Sequence, residues 1–217
     1  MKKILFVLAL VSLSFPAHSA EFALEKLKAG DIAVTVPAAP VPAPGRADSR
    51  TPQETLAKFQ QVYKALDAIH GGLAWVRNDL DRLEDRARQI IQLNYYDAFF
   101  ESDLRKMSSD MSGRFSEMQR AAADTRALLG LAEKSAELNK AARDIDRAAK
   151  SILNEVWPAL QDSAGRLEST VRSGNPATIG YDSQWTAMDI SRYSRQLSDQ
   201  ARYAYSDAQT LVTKTQP

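Results

Sequence analysis

Outside its first twenty residues this chain of 217 residues carries one histidine, His70, and it has no cysteine anywhere. Those two counts decide most of the chemistry. Disulfides, thiolate metal sites, catalytic thiols and covalent haem attachment all require cysteine. Di-iron centres in helical bundles use Glu-x-x-His pairs, and no Glu here has a His three residues on. Haem held between His70 and Met107, Met111 or Met118 is the remaining metal option. Methionines at helical spacing read more simply as core filler. In "NDLDRLED" (78–85) Asp79, Asp81, Glu84 and Asp85 alternate with Arg82 and are flanked by Arg77 and Arg86. That is the pattern of a solvated, salt-bridged face, and its spacing matches no calcium loop. Serines are plentiful, yet there is no G-x-S-x-G elbow and no glycine-rich phosphate loop. The sequence therefore reads as a non-enzyme with no catalytic, cofactor-binding or metal-binding residues and no cofactor.

Two groups of aromatics remain as candidates for partner contact, because aromatic and arginine side chains are enriched at interfaces. Tyr95, Tyr96, Phe99 and Phe100 crowd into "NYYDAFFESD". Tyr193, Tyr203 and Tyr205 alternate with Arg192, Arg195 and Arg202. The competing reading, which the sequence favours, is that the first group closes the end of a bundle and the second flanks a seam of small residues.

These side chains need elements to position them, and the elements read as helices. "TPQET" opens the first one: Thr51 as N-cap, Pro52 in the first helical position and Glu54 three residues after the cap form a capping box. From Val62 through Leu66, Ile69, Leu73, Val76, Leu80, Leu83 and Ala87 to Ile90, apolar residues keep a 3–4 spacing, a heptad seam of about four repeats like that of a coiled coil. Gly71 and Gly72 lie inside that seam without shifting its phase. They are expected to stay helical and to mark a candidate bend, at about 1 kcal/mol each relative to alanine. Residues 94–103 interrupt the seam, and the sequence predicts a reversal there with Ser102 or Asp103 capping the next helix. A second stripe runs from Leu104 through Met107, Met111, Phe115, Met118, Ala122 and Thr125 to Leu129 and Ala132. A phase shift places another break between Gly130 and Ser135. A third stripe (Leu138, Ala142, Ile145, Ala149, Ile152, Val156) resumes after Pro158 at Leu160, Ala164, Leu167 and Val171. Proline costs a helix one hydrogen bond and a clash, so Trp157–Pro158 is expected to bend. "SGNPATIG" reads as a loop. A last helix beginning near Asp182 or Ser183 carries Ala187, Ile190, Ser194, Leu197, Ala201, Ala204, Ala208 and Leu211. The expected fold is all-α: an elongated antiparallel bundle of four helices, or three if the break near 133 is absent, over residues 51–215.

The flanking segment has a different character. Lys2 and Lys3 precede an apolar run, Ile4 to Leu13, too short to cross a bilayer and ended by Pro16. With small residues after it, this is expected to be a signal peptide (1–20) cleaved after Ser19 or Ala20, which places the protein in a periplasm. Residues 21–50 hold prolines at 37, 40, 42 and 44 and read as a flexible proline-rich arm. Loss of Lys2 and Lys3 turns the formal charge from +1 to −1. A near-neutral, mixed-sign chain offers no basic face for nucleic acid, and no later segment is apolar enough to span a membrane. Taken together, the expectation is an exported non-enzymatic bundle acting through protein–protein contacts as an envelope scaffold or adaptor. Its partner is unspecified and homo-oligomerisation is open. The alternatives are a small-molecule-binding or sensing bundle and a periplasmic holding chaperone.

Overall fold

Thr51 begins the described structure, and it does so as a cap. Its hydroxyl accepts from the Glu54 amide at 3.3 Å while the Glu54 carboxylate accepts from the Thr51 amide at 3.0 Å, satisfying two of the donors that a helix start leaves free. The computed structural model describes residues 51–217. The export segment (1–20) and the proline-rich arm (21–50) lie outside the described residues.

From the cap, α1 runs unbroken over Pro52–Leu93, 42 residues or roughly 63 Å. All nine seam positions named for this helix are buried, joined by Phe59. Both Gly71 and Gly72 are helical. Asn94 ends the helix in the left-handed conformation (φ 49°, ψ 45°), which asparagine tolerates better than most residues; hence the chain reverses without a glycine.

Helix α2 (Phe100–Leu128) starts earlier than the sequence suggests. Neither Ser102 nor Asp103 caps it. Phe99 occupies the cap position with no side-chain hydrogen bond of its own. Asp97 does the work from two residues upstream: its Oδ1 accepts from the Phe99 amide (3.0 Å) and its carbonyl accepts from the Phe100 amide (3.2 Å). The break before the third rod is real, so the three-helix alternative falls. Ser135 caps α3 (Ala136–Ser151) through its hydroxyl. A π-helical turn, Ile152–Val156, leads into α4 (Trp157–Ser173). Within the segment read as a loop, Pro176–Ile179 form a single helical turn, α5, capped by Asn175. The last helix, α6, spans Tyr181–Thr215 and buries every seam residue named for it.

The α3–π–α4 rod counts as one, so four rods pack together. α1 contacts α2 and the α3–α4 rod, and α6 contacts the same two. α1 and α6 therefore occupy one diagonal of the bundle, with α2 and the α3–α4 rod on the other. Direction alternates from rod to rod. Arg126 reaches Asp207 near the ends of α2 and α6, and Arg105 reaches Asp182 near their starts, so those two neighbours are parallel. Asn139 on α3 donates to the Val212 carbonyl (2.9 Å) and the Thr215 hydroxyl (3.1 Å), and the Ser135 amide donates to the Thr215 carbonyl (3.1 Å). That polar knot ties the end of α6 to the start of α3 at one end of the bundle. The α1–α2 turn and the starts of α2 and α6 meet at the other end.

Candidate functional site: the aromatic end of the bundle

The end formed by the α1–α2 turn is built on arginine. Arg86, on the last third of α1, donates Nε to Asp97 Oδ2 (2.7 Å) and Nη2 to Asp97 Oδ1 (2.8 Å), and Nη1 to Asp103 (2.5 Å). Hydrogen bonding from Arg86 holds the Asp97 carboxyl below the usual aspartate range, outweighing the burial that pushes it up. One guanidinium thus fixes both the turn and the first turn of α2. Arg105 does the same between helices, bridging Glu101 on its own helix and Asp182 on α6. Gly180 lies against the same Glu101 carboxylate. Its φ of +93° suits glycine, and a β-carbon there would lie 2.9 Å from a Glu101 carboxylate oxygen. A further network lies next to this end. Glu84, nearly fully buried, accepts from Arg166 and Thr170 on α4 and pairs with Arg88, while Arg166 also reaches Asp81 (2.7 Å) and Asp162. The acidic run is therefore not solvated throughout: Asp81 and Glu84 turn toward α4 and clamp it to α1.

On this charged frame sit large apolar side chains with no cover. Phe100 is fully buried, so it alone of the four turn aromatics closes the core. Phe99 is 72% exposed, Tyr96 63% and Tyr95 39%. Leu93 at the end of α1 is exposed as well. At the same end, α6 presents Tyr181 (76% exposed), Trp185 (69%) and Met188. Their i, i+4, i+7 spacing makes one stripe on the side of α6 facing away from its buried seam. Sequence reasoning missed these three and Leu93. The signal was available as a second apolar stripe, out of phase with the seam, but the dominant small-residue seam hides it.

The second aromatic group divides. Tyr193 is half-buried, its ring 6.3 Å from Phe115 and under the Arg192 guanidinium at 5.3 Å. Tyr205 packs against the core and accepts from Gln209 (2.8 Å). Tyr203 is exposed beside a groove between α2 and α6 with Ala123, Arg126 and Asp207. The set named from sequence is thus not one surface: Tyr95, Tyr96 and Phe99 lie at the bundle end, Tyr203 lies on the flank, and Phe100, Tyr193 and Tyr205 serve packing.

His70 is half-buried on α1, and Met107, Met111 and Met118 are buried on the inner side of α2. Among the described residues no group of three or more His, Cys, Asp or Glu is placed to hold a metal ion. No helix among them is long and apolar enough to cross a membrane. A groove of about 580 Å³ between α3 and the chain end is lined by Lys140, Arg143, Arg147 and Asp144, so it is polar and of mixed sign. The fold defines an all-α four-rod bundle whose distinguishing surface is its aromatic end. Neither family models, nor characterised proteins, nor solved structures provide a match to this chain.

Proposed function

We propose that this chain is an exported, non-enzymatic bundle of the bacterial envelope that works through protein contacts, as a scaffold or adaptor, and that the aromatic end is its docking face. One observation carries the reading. Phe99, Tyr96, Tyr181 and Trp185 stand at least 63% exposed at a single end, whereas folding alone favours their burial. Exposed apolar patches of this kind mark interaction surfaces. The envelope location rests on the sequence of the first twenty residues.

Affinity capture from the native envelope tests the docking face. The wild-type protein and a Tyr96→Ser/Trp185→Ser variant are used as bait side by side. A protein retained by the first and lost from the second supports the reading. Equal capture by both removes the aromatic end from the function. Fractionation tests the location: release with the periplasmic contents, with an N-terminus at Ala20 or Glu21, is the expected result, and intact Met1 protein in the inner membrane the opposing one.

A further inference from the structure

We infer that the outer face of α3 is a binding site, and that it takes an elongated anion bearing phosphate groups in a row. This face lies on a different rod from the exposed stripe of α6, and its role does not depend on the aromatic end.

Lys140, Arg143, Arg147 and Lys150 stand at 3–4–3 spacing on α3, and all are exposed. At 3.6 residues per turn they share an arc of roughly 80°, on the side away from the buried Ala142, Ile145 and Ala149. The row covers about 15 Å of helix. The carboxylates of α3 fall outside the arc: Glu137 and Asp144 border it on one side and Asp146 on the other. The near-neutral total of the chain conceals this local surplus.

Matching carboxylates are what the row lacks. Exposed arginines on each of the other three rods have one: Arg82 pairs with Asp79, Arg126 with Asp207 and Arg192 with Asp189. On α3, among the described residues, Arg147 alone of the row is paired, with Asp144 at 3.3 Å, and its guanidinium is 79% exposed. An exposed pair of that kind contributes little, so Arg147 can exchange it for a better acceptor. Like charges three and four residues apart destabilise a helix. The row therefore carries a local cost that a bound polyanion removes.

The row also borders a concavity. A groove of about 580 Å³ runs between α3 and residues 216–217, and its lining includes Lys140, Arg143, Asp144, Arg147 and Asn139. Its charged side chains are three cations against one carboxylate. That volume suits a small ligand, and the charge makes it an anionic one. Arginine forks match phosphate oxygens bidentately, and lysine adds a point charge. A phosphate group carries up to about two negative charges and three acceptor oxygens, so a short chain of them can engage every cation along the roughly 10 Å from Lys140 to Arg147. An acidic peptide suits the groove less. Same-side carboxylates of an extended strand carry one charge each and recur only about every 6.6 Å, and no large apolar side chain lines the groove to seat the remainder. A lipid surface also suits it less, because α3 presents no large exposed apolar residue to insert beside the cations.

Titration calorimetry of the processed protein with inorganic tripolyphosphate, in metal-free buffer at low ionic strength, tests this. The expected result is one-to-one binding that weakens steeply as salt is added. Lys140→Gln/Arg143→Gln should lower the affinity at least about tenfold, with helical circular dichroism unchanged. Asp144→Asn should raise it. Lys106→Gln/Arg120→Gln removes the same amount of charge from exposed positions on α2, the rod diagonal to α3, and should change the affinity less than about twofold. A wild-type protein that does not bind overturns the inference, as does weaker binding by Asp144→Asn. Equal loss in the two double variants would mean attraction to net charge rather than to this face, and overturns it as well. Polyglutamate bound more tightly than tripolyphosphate would reassign the groove to acidic peptides. Binding to phosphatidylglycerol vesicles with none to tripolyphosphate would reassign it to lipid. Either result removes the phosphate chain as its ligand.

Discussion

Arg86 and Asp97 meet through two parallel hydrogen bonds, Nε to Oδ2 at 2.7 Å and Nη2 to Oδ1 at 2.8 Å, across the reversal between α1 and α2. Fork-to-carboxylate pairing is the strong form of a charged hydrogen bond, and Asp97 is 12% exposed in it. The pair does what a glycine or a capping serine does elsewhere: it fixes the turn from which α2 starts.

A pH dependence follows from the direction of the Asp97 shift. The folded-state carboxyl sits below its ordinary value of 3.8 because Arg86 donates to it. A depressed carboxyl contributes stability that is complete above the unfolded value and is lost as pH falls through the folded one. Asp97→Asn should therefore cost about 1.5–3 kcal/mol at pH 7. The gap to the wild type should close as urea melts are repeated from pH 5 downward. A gap that widens toward acid would mean that the fold holds this carboxyl protonated.

The glycine pair in α1 separates into two cases. A β-carbon on Gly71 meets nothing within 4 Å, whereas one on Gly72 lies 2.8 Å from the Arg114 guanidinium. Gly71→Ala should stabilise by about 0.5–1 kcal/mol, through helix propensity and a less free unfolded chain. Gly72→Ala should gain less, because Arg114 must swing away and disturb its pair with Glu117. Adding Arg114→Ala should restore most of the missing gain. Chemical denaturation of the four proteins decides it, and a destabilised Gly71→Ala would show that residue 71 is not simply an open helical position.

Phe99 and Phe100 are adjacent and opposite in burial, which makes them a matched pair of substitutions. Phe100→Ala should cost about 3–5 kcal/mol, as for other buried aromatics. Phe99→Ser should stay within about 0.5 kcal/mol, as surface changes do. Equal and large losses in thermal melts would show that the turn aromatics pack as a unit, leaving no free surface at this end.

That contrast also marks where sequence reasoning stops. The capping box at Thr51 and the seams of α1 and α6 are local: spacing within one helix fixes which side must be buried, and every position named for them is. The reversal at Asn94 was visible as a loss of seam. Its cap was not, since Asp97 acts only once Arg86, eleven residues back, holds it. Burial of Glu84 depends on Arg166, 82 residues away, and no spacing rule reaches that far. Which of the four turn aromatics points inward depends on the angle at which α2 leaves the turn, a property of packing rather than of pattern.

The π turn sits where the buried stripe of the α3–α4 rod changes its spacing. Stripe residues before it and after it keep the 3–4 rhythm, but Ile152, Val156, Leu160 and Ala164 are spaced 4–4–4. Three fours in a row overrun an α-helix of 3.6 residues per turn, and an inserted residue realigns the stripe. The π turn at Ile152–Val156 supplies that insertion: the Trp157 amide bonds the Ile152 carbonyl, five residues back. Pro158, having no amide proton, asks nothing of the Asn154 carbonyl in this arrangement. The realignment turns Trp157 inward, where its indole donates to the Ser194 carbonyl of α6 at 3.0 Å. If the π turn is one extra residue in an otherwise regular rod, deleting the exposed Asn154 together with Pro158→Ala should give continuous α-helix with α4 still in phase. Such a protein should fold and keep the Trp157 bond. Deleting Ala148 one turn earlier, with Pro158→Ala, should be far more damaging, because it moves Ala149 off its buried position before the realignment is reached. Near-ultraviolet circular dichroism and urea melts compare the two. Equal damage from both deletions would mean that the π turn answers to Pro158 or to local contacts, and that the 4–4–4 spacing does not set the phase of the rod.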